Sequence, residues 1–99
     1  MGKSYKATFN ELMQDPDFRA EWEAQEPERQ IIRAIIEGRE SQNMTQKELA
    51  NATGIGQADI SRLENGTANP SLRTLKRLAS GMGMKLQIRF VPNTRQSLQ

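Results

Sequence analysis

Met44-Thr45-Gln46-Lys47-Glu48-Leu49-Ala50-Asn51-Ala52-Thr53-Gly54-Ile55-Gly56-Gln57-Ala58-Asp59-Ile60-Ser61-Arg62-Leu63-Glu64-Asn65-Gly66 is the stretch on which the fold turns. Its start is specified twice. Thr45 and Glu48 have the spacing of a capping box, and Met44 and Leu49 occupy the two positions of a hydrophobic staple. A helix from Gln46 to about Thr53 follows. Gly54-Ile55-Gly56 interrupts it, because one of these glycines can take the positive φ that ends a helix. A second helix then runs from Gln57 to Asn65 and is closed by Gly66. Ala50, Ile55, Ile60 and Leu63 supply the apolar positions, so the unit is a helix, a tight glycine turn and a second short helix.

Upstream, residues 28–42 carry Ile31, Ile32, Ile35 and Ile36 as a helical apolar stripe wide enough for a core face, with Arg29, Arg33, Arg39 and Glu40 opposite. Gly38 inside that helix predicts close packing or fraying. Downstream, Asn69 and Pro70 restart the chain, and Leu72, Leu75, Leu78 and Ala79 recur at helical spacing until Gly81 and Gly83. The period then changes. Met84, Leu86, Ile88 and Phe90 alternate with Lys85, Gln87 and Arg89, the period of two of a strand with one buried face, closed by Pro92.

Ninety-nine residues, 35% hydrophobic and 26% charged, leave room for one small domain with a short arm. There is no cysteine and no histidine. That removes disulfides, thiolate nucleophiles, imidazole bases and most zinc or haem ligation, and neither a glycine-rich phosphate loop nor a metal-ligand cluster is evident, so no enzyme and no cofactor is expected. No apolar run is long enough for a membrane span, and a reducing, cytoplasmic setting is expected. Charge is unevenly placed: residues 1–27 sum to −3 and residues 28–99 to +5. The body can face a polyanion and the arm something basic.

Helix-turn-helix geometry also occurs in proteins that never touch DNA, so the second helix's outer face carries the argument. With Ile60 and Leu63 fixed inward, Gln57, Ala58, Ser61, Arg62 and Asn65 point outward. A Gln amide can pair adenine, an Arg fork can pair guanine, and a small Ala can approach a thymine methyl. Gln46, opening the preceding helix, can offer its amide and free helix N–H groups to a phosphate. Ordinary solvated polar residues would give the same spacing.

The run Met44-Thr45-Gln46-Lys47-Glu48-Leu49-Ala50, then Gly54-Ile55, then Ile60-Ser61-Arg62-Leu63-Glu64-Asn65-Gly66, then Asn69-Pro70-Ser71-Leu72 resembles the Xre/Cro phage-repressor helix-turn-helix family. The resemblance covers about residues 28–82. It implies a bundle of four or five helices with Gln57 to Asn65 as the recognition helix, Gln46 as a phosphate contact, Gln57, Ala58 and Arg62 as base readers, and Ser61, Asn65 and Thr67 near the DNA backbone. It also implies an ion pair between Arg39 and Glu64. Gly56 departs from the pattern, which usually has Ser or Thr there as the helix cap.

Four of the five aromatic residues, Tyr5, Phe9, Phe18 and Trp22, fall in the first 22 positions. Thr8 and Glu11 suggest one short helix, with Phe9, Leu12 and Met13 as its apolar residues; Asp15 and Pro16 open a second, which sets Phe18 and Trp22 one turn apart. Either the arm folds back to complete the bundle, or it is an anchor set for a basic partner. Thr8-Phe9-Asn10-Glu11-Leu12, Asp15-Pro16-Asp17-Phe18-Arg19 and Gln25-Glu26-Pro27-Glu28, joined to such a domain and a closing Leu-x-Ile-x-Phe-Val-Pro, are similar to antitoxins of HigBA-type modules. That likeness implies a HigB/RelE-type mRNA-cleaving toxin as partner, contacted by Tyr5, Phe9, Leu12, Met13, Phe18 and Trp22.

A single strand needs a partner for its backbone. A second copy across a two-fold axis, paired through Met84, Leu86, Ile88 and Phe90, would give a homodimer for palindromic DNA; addition to the toxin's sheet is the alternative. The expectation is therefore an all-α Xre/Cro-type bundle with an N-terminal helical arm (1–26), a helix-turn-helix domain (27–83), one C-terminal β-strand (84–92) and a flexible tail (93–99). The implied function is a DNA-binding antitoxin that represses its own operon. A free-standing repressor of the same family, without a toxin, is the other reading.

Overall fold

The computed structural model describes residues 4–93, and among them six helices and no β-strand. Helix α1 is Tyr5–Leu12, α2 Pro16–Ala24, α3 Glu26–Ser41, α4 Gln46–Thr53, α5 Gln57–Asn65 and α6 Leu72–Gly81. Caps explain most of these limits. Ser4, Asp15, Thr45 and Ser71 each accept a backbone N–H at the start of α1, α2, α4 and α6. Helix α1 is thus capped by Ser4, one turn before the Thr8 expected from sequence, and α3 begins at Glu26 with Pro27 in its first turn, where a missing N–H costs nothing.

Helix α4 packs on both α5 and α6, and α3 packs on α5. Their common core is Ile35, Leu49, Ala50, Ile60, Leu63, Leu78 and Met82, with Ile31, Met44 and Ile55 against its edge. Leu49, Ile60 and Leu78 are fully enclosed, one from each of α4, α5 and α6. At about 1.5–3 kcal/mol for each fully buried aliphatic side chain, these three are the main clamp on the helix pair. The isoleucine stripe of α3 is narrower than expected. Only Ile35 is buried, while Ile31, Ile32 and Ile36 are half-covered. Gly38 is buried where a Cβ would stand 2.9 Å from the Met82 sulfur, which is close packing and no fraying.

The expected C-terminal β-strand is absent. Met84 N–H still bonds the Ala79 carbonyl at 2.7 Å, and Leu86 is half-covered, but Ile88 is 63% exposed and Phe90 fully so. Alternating polarity states which face a strand would bury, whereas a strand exists only when its backbone meets a second extended segment. The described residues of one chain contain no such segment. Residues 94–99 of the expected tail, and residues 1–3 of the arm, lie outside the described residues.

The arm does not complete the bundle. Phe9, Phe18 and Trp22 pack on one another, with ring centroids 4.9 Å apart for Phe9–Trp22 and 6.3–6.4 Å for the other two pairs. None of them belongs to the core of the helix-turn-helix body. Arg29 of α3 lies over the Trp22 ring at 3.7 Å and bonds Glu26, tying α2 to the body by a cation–π contact.

Candidate nucleic-acid interface

The turn between α4 and α5 is held by one hydroxyl and one guanidinium. Thr53 donates its hydroxyl to the Leu49 carbonyl at 2.8 Å, and accepts the Ile55 N–H at 3.1 Å. Arg77 of α6 donates to the Thr53 carbonyl at 2.7 Å, placing a cation at the C-terminal end of α4, where the helix dipole favours it. Between them Gly54 adopts φ +76°, a left-handed conformation that costs other residues energy. These contacts fix the angle at which α5 leaves α4.

Within α5, Ile60 and Leu63 face the core, and Gln57, Ala58, Arg62 and Asn65 are exposed with Ser61 half-covered beside them. Residues 58, 61, 62 and 65 are spaced as one helix face. Thr67, also exposed, closes the helix: its N–H bonds the Arg62 carbonyl at 3.0 Å, while Gly66 N–H bonds that of Leu63. Gly56, at the N-cap, makes no side-chain cap bond.

Gln46 is placed differently from a free surface amide. It is half-covered, and its Nε2 donates to Glu64 Oε1 at 2.9 Å. Glu64 in turn receives Arg39 Nε and Nη2, at 2.8 and 3.0 Å, and Arg39 Nη1 donates to the Met44 carbonyl. This network joins α3, α5 and the start of α4. Burial alone pushes the Glu64 carboxyl upward, but the bonds from Arg39 and Gln46, with the Arg39 charge, outweigh it and hold Glu64 below the usual carboxylate range. The same bond holds the Arg39 guanidinium above its usual value. The carboxylate is therefore neutralised inside the protein. With the capping box made by Thr45 and Glu48, the first turn of α4 still has N–H groups without intrahelical partners.

Sequence reading passes over Asp59. It is exposed, and its Oδ1 pairs with Arg62 Nη2 at 3.2 Å, a contact its i, i+3 spacing would have suggested. In the arm, Tyr5 is 86% and Leu12 44% exposed, whereas Phe9, Met13, Phe18 and Trp22 are half-covered. Among the described residues there is no group of His, Cys, Asp or Glu able to hold a metal, and no helix long and apolar enough to cross a membrane.

This arrangement is a helix-turn-helix, and the helix-turn-helix family profile matches residues 35–88, just over half of the chain. The chain belongs to the helix-turn-helix family, of the Xre type. It is similar to an uncharacterized HTH-type transcriptional regulator of Haemophilus influenzae, at 36% identity over 58 residues, 59% of each protein. It is also similar to Antitoxin HigA1 of Mycobacterium tuberculosis, at 31% identity over 83 residues, 83% of this chain and 56% of that protein. The chain thus spans less than two thirds of the length of either relative. Among solved structures, a toxin-antitoxin module from Streptococcus pneumoniae superposes with a TM-score of 0.57 at 25% identity, over 92% of this chain and 97% of that one. That last match takes in the arm as well as the helix-turn-helix body.

Proposed function

We propose that this helix-turn-helix protein is an antitoxin: it neutralises a HigB/RelE-type mRNA-cleaving toxin and, as a cytoplasmic homodimer, represses its own operon. The observation that carries the reading is the joining of two units, an acidic, separately packed aromatic arm and a basic body with an exposed α5. A basic nuclease is steered by the first and DNA by the second. The likeness to the solved toxin-antitoxin module across arm and body supports the pairing.

On DNA, Gln57, Ala58 and Arg62 read bases, Gln46 and the first turn of α4 meet phosphate, and Ser61, Asn65 and Thr67 lie near the backbone. Two copies related by a two-fold axis set their α5 helices about 34 Å apart. The exposed Met84, Ile88 and Phe90, with the half-covered Leu86, are the apolar surface that a second copy would cover. In the arm, Phe9, Phe18 and Trp22 build the shape, and the exposed Tyr5 and Leu12, with the half-covered Met13, make the toxin contact.

The test is co-expression with the small basic protein encoded beside this reading frame. A stable complex is expected, with toxicity relieved, and Tyr5→Ala combined with Leu12→Ala should weaken it without unfolding the arm. Absence of any complex would leave a free-standing repressor, with the arm a structural appendage.

A further inference from the structure

Arg62 is not a loose side chain. Asp59 Oδ1 lies 3.2 Å from its Nη2, and its Nη1 donates to the Ala58 carbonyl at 3.3 Å, so the guanidinium is folded back one turn toward the start of α5. The other Asp59 oxygen, Oδ2, lies 3.4 Å from where a Cβ on Gly56 would stand, which places the carboxylate over the helix N-terminus. Negative charge is favoured there by the dipole, and the carboxylate is an acceptor within reach of Arg62. Both side chains are more than half exposed, and such a pair contributes little to folding.

We propose that Asp59 is a specificity-determining residue of the recognition helix, positioning Arg62 for a guanine and discouraging its use on phosphate. This rests on the DNA-reading role given to α5 above. A carboxylate within reach of the DNA backbone repels phosphates, and it competes for Arg62 wherever the groove offers no matching pair of acceptors. Opposite guanine, O6 and N7 accept the guanidinium fork while Asp59 holds its flank. The carboxylate therefore penalises wrong duplexes more than the right one, and the discrimination between them rises.

The test uses the full-length chain and a random-sequence duplex library, from which the preferred duplex is selected. Affinities for that duplex and a scrambled one are then compared at one salt concentration. For Asp59→Asn, the scrambled duplex should bind about five- to tenfold tighter and the preferred one with unchanged affinity, so the ratio falls by the same roughly five- to tenfold. Preference should be lost at the same base pair that Arg62→Ala relaxes, and Asp59→Glu should restore most of the ratio. In an Arg62→Ala background, Asp59→Asn should no longer change sequence preference. Unchanged preference and ratio in Asp59→Asn would overturn the proposal, as would an equal loss of ratio in both backgrounds, which marks a general charge effect. If the unaltered protein binds no duplex, the DNA-reading role itself fails and the proposal with it.

Discussion

Arg39 holds Glu64 by two parallel hydrogen bonds, Nε to Oε2 at 2.8 Å and Nη2 to Oε1 at 3.0 Å, across 25 residues of chain. Only 15% and 6% of the two side chains is exposed. Removing one partner leaves the other charge poorly solvated, so Glu64→Gln or Arg39→Met is expected to cost about 2–4 kcal/mol. The double change Arg39→Met with Glu64→Leu should recover part of that loss, since it leaves no unpaired buried charge, while the Met44 carbonyl and the Gln46 amide still lose their partners. Thermal unfolding followed by circular dichroism decides it. A double variant no more stable than the singles would mean the network is held by something other than charge pairing.

Acid should weaken the same network. Glu64 and Glu48, the latter bonded to the Thr45 N–H and hydroxyl, are both held below an ordinary value of 4.5. Their contribution is complete above about pH 5, where they are ionised in folded and unfolded chains alike, and is lost as pH falls through the lowered folded values. With no histidine in the chain, stability should be nearly flat from about pH 5 to 7.5 and decline below about 4.5. Glu64→Gln should flatten that decline. A midpoint near pH 6 would contradict it.

Two glycines of the turn predict opposite outcomes. Gly54→Ala forces a side chain into φ +76° and against Arg77 Nη2, 3.1 Å from the new Cβ, and should cost about 1–2 kcal/mol. Gly56 sits at φ −62°, ψ 143°, ordinary extended backbone with no side-chain cap, and a Cβ there meets only Asp59. Gly56→Ser should therefore stabilise by about 0.5–1 kcal/mol, raising Tm by a few degrees. A destabilised Gly56→Ser would show that the cap position is misplaced.

The arm and the body should open separately. Trp22→Ala removes the ring that contacts Phe9, Phe18 and Arg29 together, and should cost the arm about 2 kcal/mol, below the fully buried range because Trp22 is half-covered. Amide hydrogen exchange is then expected to quicken across α1 and α2 and to stay unchanged in α4, α5 and α6. Equal loss of protection in α5 would join the arm to the core.

Elements whose limits are set by local chemistry were legible in the sequence. The Thr45–Glu48 box and the glycines after Thr53 and Asn65 define α4 and α5 to the residue. Of the contacts between distant positions, the Arg39–Glu64 pair was implied, and only through the family resemblance; the others were not legible. Alternation at residues 84–90 reads as a strand, because pattern reports polarity and cannot report a missing partner. The aromatic residues of the arm left two readings open, a return to the bundle or an anchor set, and the mutual packing of Phe9, Phe18 and Trp22 was in neither, since nothing local says which rings meet. Gln46 read as a free amide because its tie to Glu64 spans 18 residues. Asp59 was visible in its spacing to Arg62, but a polar residue next to base readers carries no mark of its own.

The most direct measurement is the affinity of the full-length protein for duplex DNA from upstream of its own reading frame, followed by fluorescence anisotropy across a salt series. Binding should be tight and fall steeply with salt, Gln46→Ala should weaken all duplexes alike, and Arg62→Ala should lose preference for that fragment over a scrambled one. Salt-insensitive binding, or no preference for that fragment in the unaltered protein, would contradict the role of α5 as a reader of bases.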